Sequence, residues 1–164
     1  MSPDDLVLPD EAIDIIAFRP GDGPVFKVLN EEWLNKYFTV EPADTVMLGD
    51  PQAEIIDRGG SIFFIRLQGS IVGTAALIKL DDTAFELAKM AVTASAQGRG
   101  LGKRLLEHAI AYAEREGARK LVLYTSRKLL PALHLYHRHG FVEVPLDHSG
   151  YERAEVKMER VLGA

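Results

Sequence analysis

The chain contains no cysteine. That excludes disulfides, thiolate metal sites and a cysteine nucleophile, and it leaves the redox compartment undecided. No apolar run approaches the ~18 residues that a membrane-spanning helix needs. The N-terminus, Met1-Ser2-Pro3-Asp4-Asp5, has neither the basic n-region nor the apolar h-region of a secretory signal. A cytoplasmic location is therefore expected. Positive charge is also in short supply. The 24 Asp and Glu outnumber the 19 Lys and Arg, for a formal net charge of −5. Nucleic-acid binding calls for the opposite balance or for a basic stripe. There is no internal repeat, no low-complexity tract and no linker long enough to divide the chain.

What is present suits one compact domain, residues 1–164, with a sizeable core: 47% of residues are hydrophobic and 26% charged. Residues 1–10 are polar and Pro-containing and are expected to be poorly ordered. Acidic residues lie mostly in the first half, and basic ones cluster from Arg99 onward. The asymmetry fits either an anionic ligand near the second half or an unevenly charged solvated surface.

Periodicity supplies the elements. Residues 13–18 read as a strand stopped by Pro20-Gly21-Asp22-Gly23. Phe26, Leu29, Trp33, Leu34 and Tyr37 recur at helical spacing within 24–38. Short helices are expected at 41–48, with Pro42 in the first turn, and near 51–56. Residues 61–67 and 71–80 form a hairpin around Gln68-Gly69-Ser70, and after Asp81-Asp82-Thr83 a third strand covers 84–92. A strong helix over 98–116 has Leu101, Leu105, His108, Ala109, Tyr112 and Ala113 on one face and ends at Gly117. A buried strand at 120–125, a helix at 130–139 and closing strands at 141–144 and 151–161 complete the chain. This order predicts a mixed sheet with helices packed on it, an α/β or α+β layered domain.

The segment Met90-Ala91-Val92-Thr93-Ala94-Ser95-Ala96-Gln97-Gly98-Arg99-Gly100-Leu101-Gly102-Lys103 runs from a strand through a Gly-rich turn into a helix. A helix N-terminus has unpaired N–H groups and a partial positive charge, and glycines let those groups approach a phosphate. Arg99, Lys103 and Arg104 add positive charge. The spacing matches neither the dinucleotide fingerprint nor a P-loop. On these residues alone, phosphate binding and a plain tight turn both stand.

The segment resembles the Gln/Arg-x-x-Gly-x-Gly/Ala motif of the GNAT superfamily of N-acyltransferases, through Gln97, Gly100 and Gly102. The preceding Phe85-Glu86-Leu87-Ala88-Lys89-Met90-Ala91-Val92 looks like that family's fourth strand, and the stretch from Ala132 through Tyr136 to Gly140-Phe141 looks like its Ala-x-x-x-Tyr-x-x-x-Gly-Phe motif. The motifs lie in the family's order. The resemblance covers residues 60–161 strongly and the rest in outline.

The resemblance implies a mostly antiparallel mixed sheet of six to seven strands with about four helices, splayed between the fourth and fifth strands. It implies acetyl-CoA as co-substrate, no metal, and transfer of an acetyl group to an amine by direct attack. Backbone groups of Gln97, Gly98, Arg99, Gly100, Leu101, Gly102 and Lys103 would hold the pyrophosphate. The main chain at Met90, Ala91 and Val92 would pair with pantetheine like an added strand. Tyr136 would be the general acid and Glu86 the general base. For each there is a plainer reading: a packed helix tyrosine, and a structural or solvated glutamate.

Ser126 stands near the expected cleft, either contacting the cofactor or capping its own strand end. The family often carries Asn three residues before the motif alanine, and Leu129 stands there instead. His134, His137 and His139 lack a carboxylate or cysteine to complete a ligand set, and His108 reads as a packed histidine. Trp33, Tyr37, Phe38 and Tyr151 are candidates for the acceptor wall, and the many carboxylates hint weakly at a cationic amine.

The expected partners are acetyl-CoA and an amine acceptor, with neither nucleic acid nor membrane; a homodimer is left open. A non-catalytic acyl-CoA sensor is the alternative on the same fold. A nucleotide- or phosphometabolite-binding protein is a third reading.

Overall fold

Turn chemistry and alternation build the first half of the sheet. Strand β1 is Ile13–Ala17, β2 is Ser61–Leu67 and β3 is Ser70–Asp81. Leu67 pairs directly with Ser70, so Gln68 and Gly69 alone make the turn. Both have positive φ, 52° and 83°, the type I′ geometry that matches strand twist. At the next hairpin, Asp81 Oδ1 accepts the Thr83 backbone N–H at 2.7 Å, and β4, Ala84–Val92, returns alongside. β5 is Lys120–Thr125, β6 Val142–Val144 and β7 Val156–Val161. This computed structural model describes residues 13–147 and 150–163. The expected ragged segment 1–10, and His148 and Ser149 in the later turn, lie outside the described residues.

The strand order is β1-β2-β3-β4-β5-β7-β6. Among the described residues only β4 and β5 run parallel; every other neighbouring pair is antiparallel. Helices α1 (Gly23–Tyr37) and α2 (Pro42–Gly49) cover one face, where Phe26, Leu34 and Leu48 pack on Ile62, Phe64 and Ala76. Helices α3 (Leu101–Arg115) and α4 (Leu130–Arg138) cover the other, on Phe63, Ile65, Leu77, Leu87 and Leu121. Because both faces are buried, β2 is a continuous apolar run, Ile62 to Ile65, rather than an alternating one. Among the described residues no helix is long and apolar enough to cross a membrane.

Most boundaries fall within a residue of expectation, and three elements differ by more than that or in kind. The helix predicted from residue 98 begins at Leu101, because Gly98 and Gly100 have φ of 81° and 76°, outside the helical region. The segment expected as a short helix near 51–56 closes as a π-helical turn, Gln52–Ile56. The last strand starts at Val156 rather than 151, because Tyr151 and Arg153 turn toward β4 and α2 instead of joining the ladder.

Two irregularities shape the centre of the sheet. β4 and β5 pair from Ala84 opposite Lys120 to Leu87 opposite Leu123, and no further pair follows; the strands part there, as the resemblance implied. On its other edge β4 carries a bulge. Thr74 and Ala76 of β3 face Ala91 and Ala88, so β4 has one extra residue between these pairs. Lys89 occupies the bulge with φ of 53°.

Candidate active site

A cavity of about 600 Å³ opens where β4 and β5 separate. α1, β4, the loop before α3, β5, α4 and the segment after Gly150 all contribute to its walls. The apolar walls come from Trp33, Leu34, Tyr37 and Phe38, with the Trp33 ring 5.3 Å from Tyr37 and 5.6 Å from Phe38.

At one end stands the N-terminus of α3. Gly100 is its N-cap and no side chain caps it, so the first-turn N–H groups lack intrahelical partners. A Cβ built at Gly98, Gly100 or Gly102 would meet nothing within 4 Å. The surface is open, donor-rich and dipole-positive, which fits a pyrophosphate. Gln97, Gly98, Gly100, Leu101 and Gly102 border the cavity, while Arg99 and Lys103 are exposed beside it. The loop is tied down at both ends. Gln97 Nε2 donates to the Val92 carbonyl at 3.1 Å, and Glu32 of α1 accepts from Thr93 Oγ1 at 2.9 Å and from the Ala94 N–H at 3.2 Å.

Met90, Ala91 and Val92 line the cavity. Ala91 and Val92 pair with β3 on one side only, so the β4 main chain toward the parted β5 has no strand partner. This edge fits an extended amide-bearing arm.

Tyr136 projects from α4 to the same cavity and is 8% exposed. Burial pushes its phenol up to about 12, and its ring packs edge-on against Phe141 at 5.9 Å. Glu86 borders the cavity from β4. Burial pushes its carboxyl up to about 7; Lys89 and Lys157 oppose that shift and Asp147 adds to it. Ser126 also borders the cavity. Its hydroxyl donates to Glu155 Oε1 at 2.6 Å and accepts the Lys128 backbone N–H at 3.2 Å.

Two of the candidate histidines are occupied elsewhere. The His108 ring meets Phe63 edge-on at 4.6 Å, and burial lowers its pKa. His139 contacts the Leu135 carbonyl at 2.8 Å and Glu107 at 3.1 Å. Among the described residues no group of three or more His, Asp or Glu could hold a metal.

A buried charge cluster beside Glu86 was not foreseen. Asp44, with no exposure, accepts two hydrogen bonds of 2.7 Å from the Arg153 guanidinium and one from the Lys89 ammonium. It also closes a capping box with Glu41 at the start of α2. These cations hold its carboxyl down at about 2 against the cost of burial. Lys89 Nζ donates to the Tyr151 hydroxyl at 3.1 Å, and Glu41 accepts from Arg153 at 3.2 Å. Burial lowers the Lys89 pKa, while Asp44 raises it. Two signals for this cluster were available: a lone lysine in the apolar run Leu87-Ala88-Lys89-Met90-Ala91, and the Glu41-x-x-Asp44 cap.

The profile of the Acetyltransferase (GNAT) family matches residues 26–141. The N-acetyltransferase YvbK of Bacillus subtilis (strain 168) is 29% identical over 113 residues, covering 67% of this chain and 73% of that protein. Among solved structures, a GNAT-family acetyltransferase from Staphylococcus aureus Mu50 superposes with a TM-score of 0.82 at 23% identity, over 93% of this chain and all of that one. The yncA protein of Salmonella typhimurium, solved with its cofactor acetyl-CoA, gives 0.72 at 18% identity, over 93% and 95% of the two chains.

Proposed function

The chain belongs to the acetyltransferase (GNAT) family and is an acetyl-CoA-dependent N-acetyltransferase; from that premise we propose how its residues divide the work. The first-turn N–H groups of α3 and the loop from Gln97 to Lys103 hold the pyrophosphate of acetyl-CoA. The free edge of β4 at Met90, Ala91 and Val92 pairs with the pantetheine arm, which brings the thioester to the fork between β4 and β5. Ser126, committed to Glu155 and to its own turn, shapes the rim where that arm passes.

Glu86 takes a proton from the acceptor ammonium, directly or through one water. A carboxyl titrating near 7 is suited to this, since a base works best when its pKa lies near the working pH. The freed amine attacks the acetyl carbonyl. Tyr136 then gives a proton to the departing thiolate as the C–S bond breaks, and the second proton that the nitrogen loses on becoming an amide restores the tyrosine. Its phenol stays protonated across neutral pH, as an acid must. No protein nucleophile is needed, which agrees with the absence of cysteine.

One observation carries this reading: Glu86, Tyr136 and an uncapped helix N-terminus border a single cavity at the point where two parallel strands part. The test is CoA release from acetyl-CoA, followed with a thiol reagent, over a panel of amines. Amine-dependent release supports the assignment, and its loss in Glu86→Gln with CoA binding retained supports Glu86 as base. CoA binding without release for any amine favours the acyl-CoA sensor.

A further inference from the structure

The charge of the cavity runs against the acidic balance of the chain. Its charged lining residues among those described are Glu86, Lys89, Lys128 and Arg153, one carboxylate and three cations. Asp44 and Glu41 touch Lys89 or Arg153 but do not border the cavity. The carboxylate surplus that hinted at a cationic acceptor therefore lies elsewhere.

The bulge creates this arrangement. Glu86 and Ala88 share the α1–α2 face of the sheet, opposite Ile78 and Ala76, whereas Leu87 faces α3. In a regular strand Lys89 would follow Leu87 to the α3 face. The extra residue and the left-handed backbone at Lys89 turn it to the face of Glu86 instead, where it reaches Asp44 on α2. A base and a cation thus stand on one wall, three residues apart, within ~10 Å of chain.

The cations are desolvated and incompletely paired. Lys89, 5% exposed, has three donors, of which Asp44 and Tyr151 take two. Arg153, 17% exposed, has five, and its carboxylate contacts use three, on Nη1 and Nη2. Tyr151 stiffens the pair: its ring centroid lies 4.6 Å from the Lys89 nitrogen and 4.4 Å from the Arg153 guanidinium carbon. Donors left over on buried cations attract an anion. Asp44 and Glu41, which partner these cations, do not border the cavity, so the face the pair presents there offers donors rather than acceptors.

We propose that the acceptor is a free amino acid, its carboxylate held by Arg153 and Lys89 while its amine lies at Glu86. The inference rests on the reading of Glu86 as base given above.

The test compares kcat/KM for free amino acids with that for their amides, such as methionine against methioninamide and phenylalanine against phenylalaninamide. Spermidine and a lysine peptide complete the panel. The amide keeps the amine and removes the anion; its amine is also less basic and more easily freed of its proton, so a preference for the acid would run against that effect. The best amino acid should exceed its amide at least tenfold, and Arg153→Gln should bring that ratio toward one with acetyl-CoA affinity retained. The wild-type comparison stands even if the variant fails to fold. Equal use of acid and amide, or transfer to spermidine or the peptide alone, overturns the inference and leaves the acetyltransferase assignment intact. Silence with every amine overturns both. Persistence of the acid preference in an active Glu86→Gln protein removes Glu86 as base and keeps the carboxylate site.

Discussion

Arg153 and Asp44 meet fork to fork, through parallel hydrogen bonds of 2.7 Å from Nη1 and Nη2 to the two carboxylate oxygens. The bond joins the segment before β7 to the first turn of α2, and the same carboxylate holds Lys89 in the β4 bulge. Asp44→Ala would leave the buried Lys89 without its counter-ion and Arg153 with Glu41 alone, at a cost of roughly 3–5 kcal/mol. Urea unfolding should show a loss of that order, and a loss below 1 kcal/mol would contradict the role given to Asp44. The Asp44 carboxyl is depressed in the folded state, so its contribution is complete above the ordinary aspartate range, near 4. It should fade as pH falls toward about 2.

Glu86 has the opposite sign. Its folded pKa is raised from 4.5 to about 7, so the folded state binds its proton more tightly than the unfolded chain does. Stability should fall as pH rises from about 4.5 to about 7 and then level off. Glu86→Gln removes the ionisation cost and should be more stable than wild type at pH 8, by up to ~3 kcal/mol, with no advantage at pH 4. Thermal melts at the two values check this. An equal melting difference at both would place the Glu86 carboxyl in a solvated environment.

The same variant addresses catalysis. With a general base lost, kcat should drop by ~10²–10⁴. In wild type, kcat/KM should rise through pH 7, and that rise should vanish in Glu86→Gln. A retained inflection would point to another group.

Tyr136→Phe keeps the buried ring and its edge contact with Phe141 while removing the hydroxyl. Turnover should fall ~10²-fold or more, with the KM for acetyl-CoA little changed. Full turnover in the variant would mean that the thiolate leaves without help from this residue.

Gly102 separates helix propensity from ligand contact. It lies inside α3 with open space where a Cβ would point, so Gly102→Ala should stabilise the free protein by up to ~1 kcal/mol. If phosphate approaches the backbone there, the methyl should leave CoA binding intact, as the Gly/Ala alternative of the motif implies, while the bulkier Gly102→Leu should weaken it, on the order of tenfold by calorimetry. Unchanged affinity in the leucine variant would move the pyrophosphate away from this turn.

Much of this site was legible in local sequence, because its parts are local. The strand–Gly-rich turn–helix unit around Gln97, Gly100 and Gly102 announces an open helix N-terminus, and Tyr136 stands in a compact helical motif ending at Gly140. The fork between β4 and β5 followed only through the resemblance, since no residue near Leu87 or Leu123 marks where pairing stops. The members of the ion cluster leave local marks, the lone Lys89 in an apolar run and the Glu41-x-x-Asp44 cap, but their pairing leaves none. Lys89 meets Asp44 across 45 positions and Arg153 meets it across 109, and no periodicity encodes such pairing. Its effects include the late start of β7, where apolar alternation suggested a longer strand but Tyr151 and Arg153 are held by charges on other elements. The bulge hid for a related reason: an extra residue is visible only when two strands are laid side by side.

That bulge makes the charge of the cavity wall depend on residue count as well as residue identity. Removing one position between Ala88 and Ala91 would let β4 run as a regular strand, and the lysine side chain would swing through the sheet toward α3, leaving the β4 wall with Glu86 but without its cation. On the carboxylate-binding proposal, relatives that differ here by a single insertion or deletion would prefer acceptors of different charge, even with Glu86 and Tyr136 in common. Alignments that score substitutions and treat gaps in strands as noise would pass over the change.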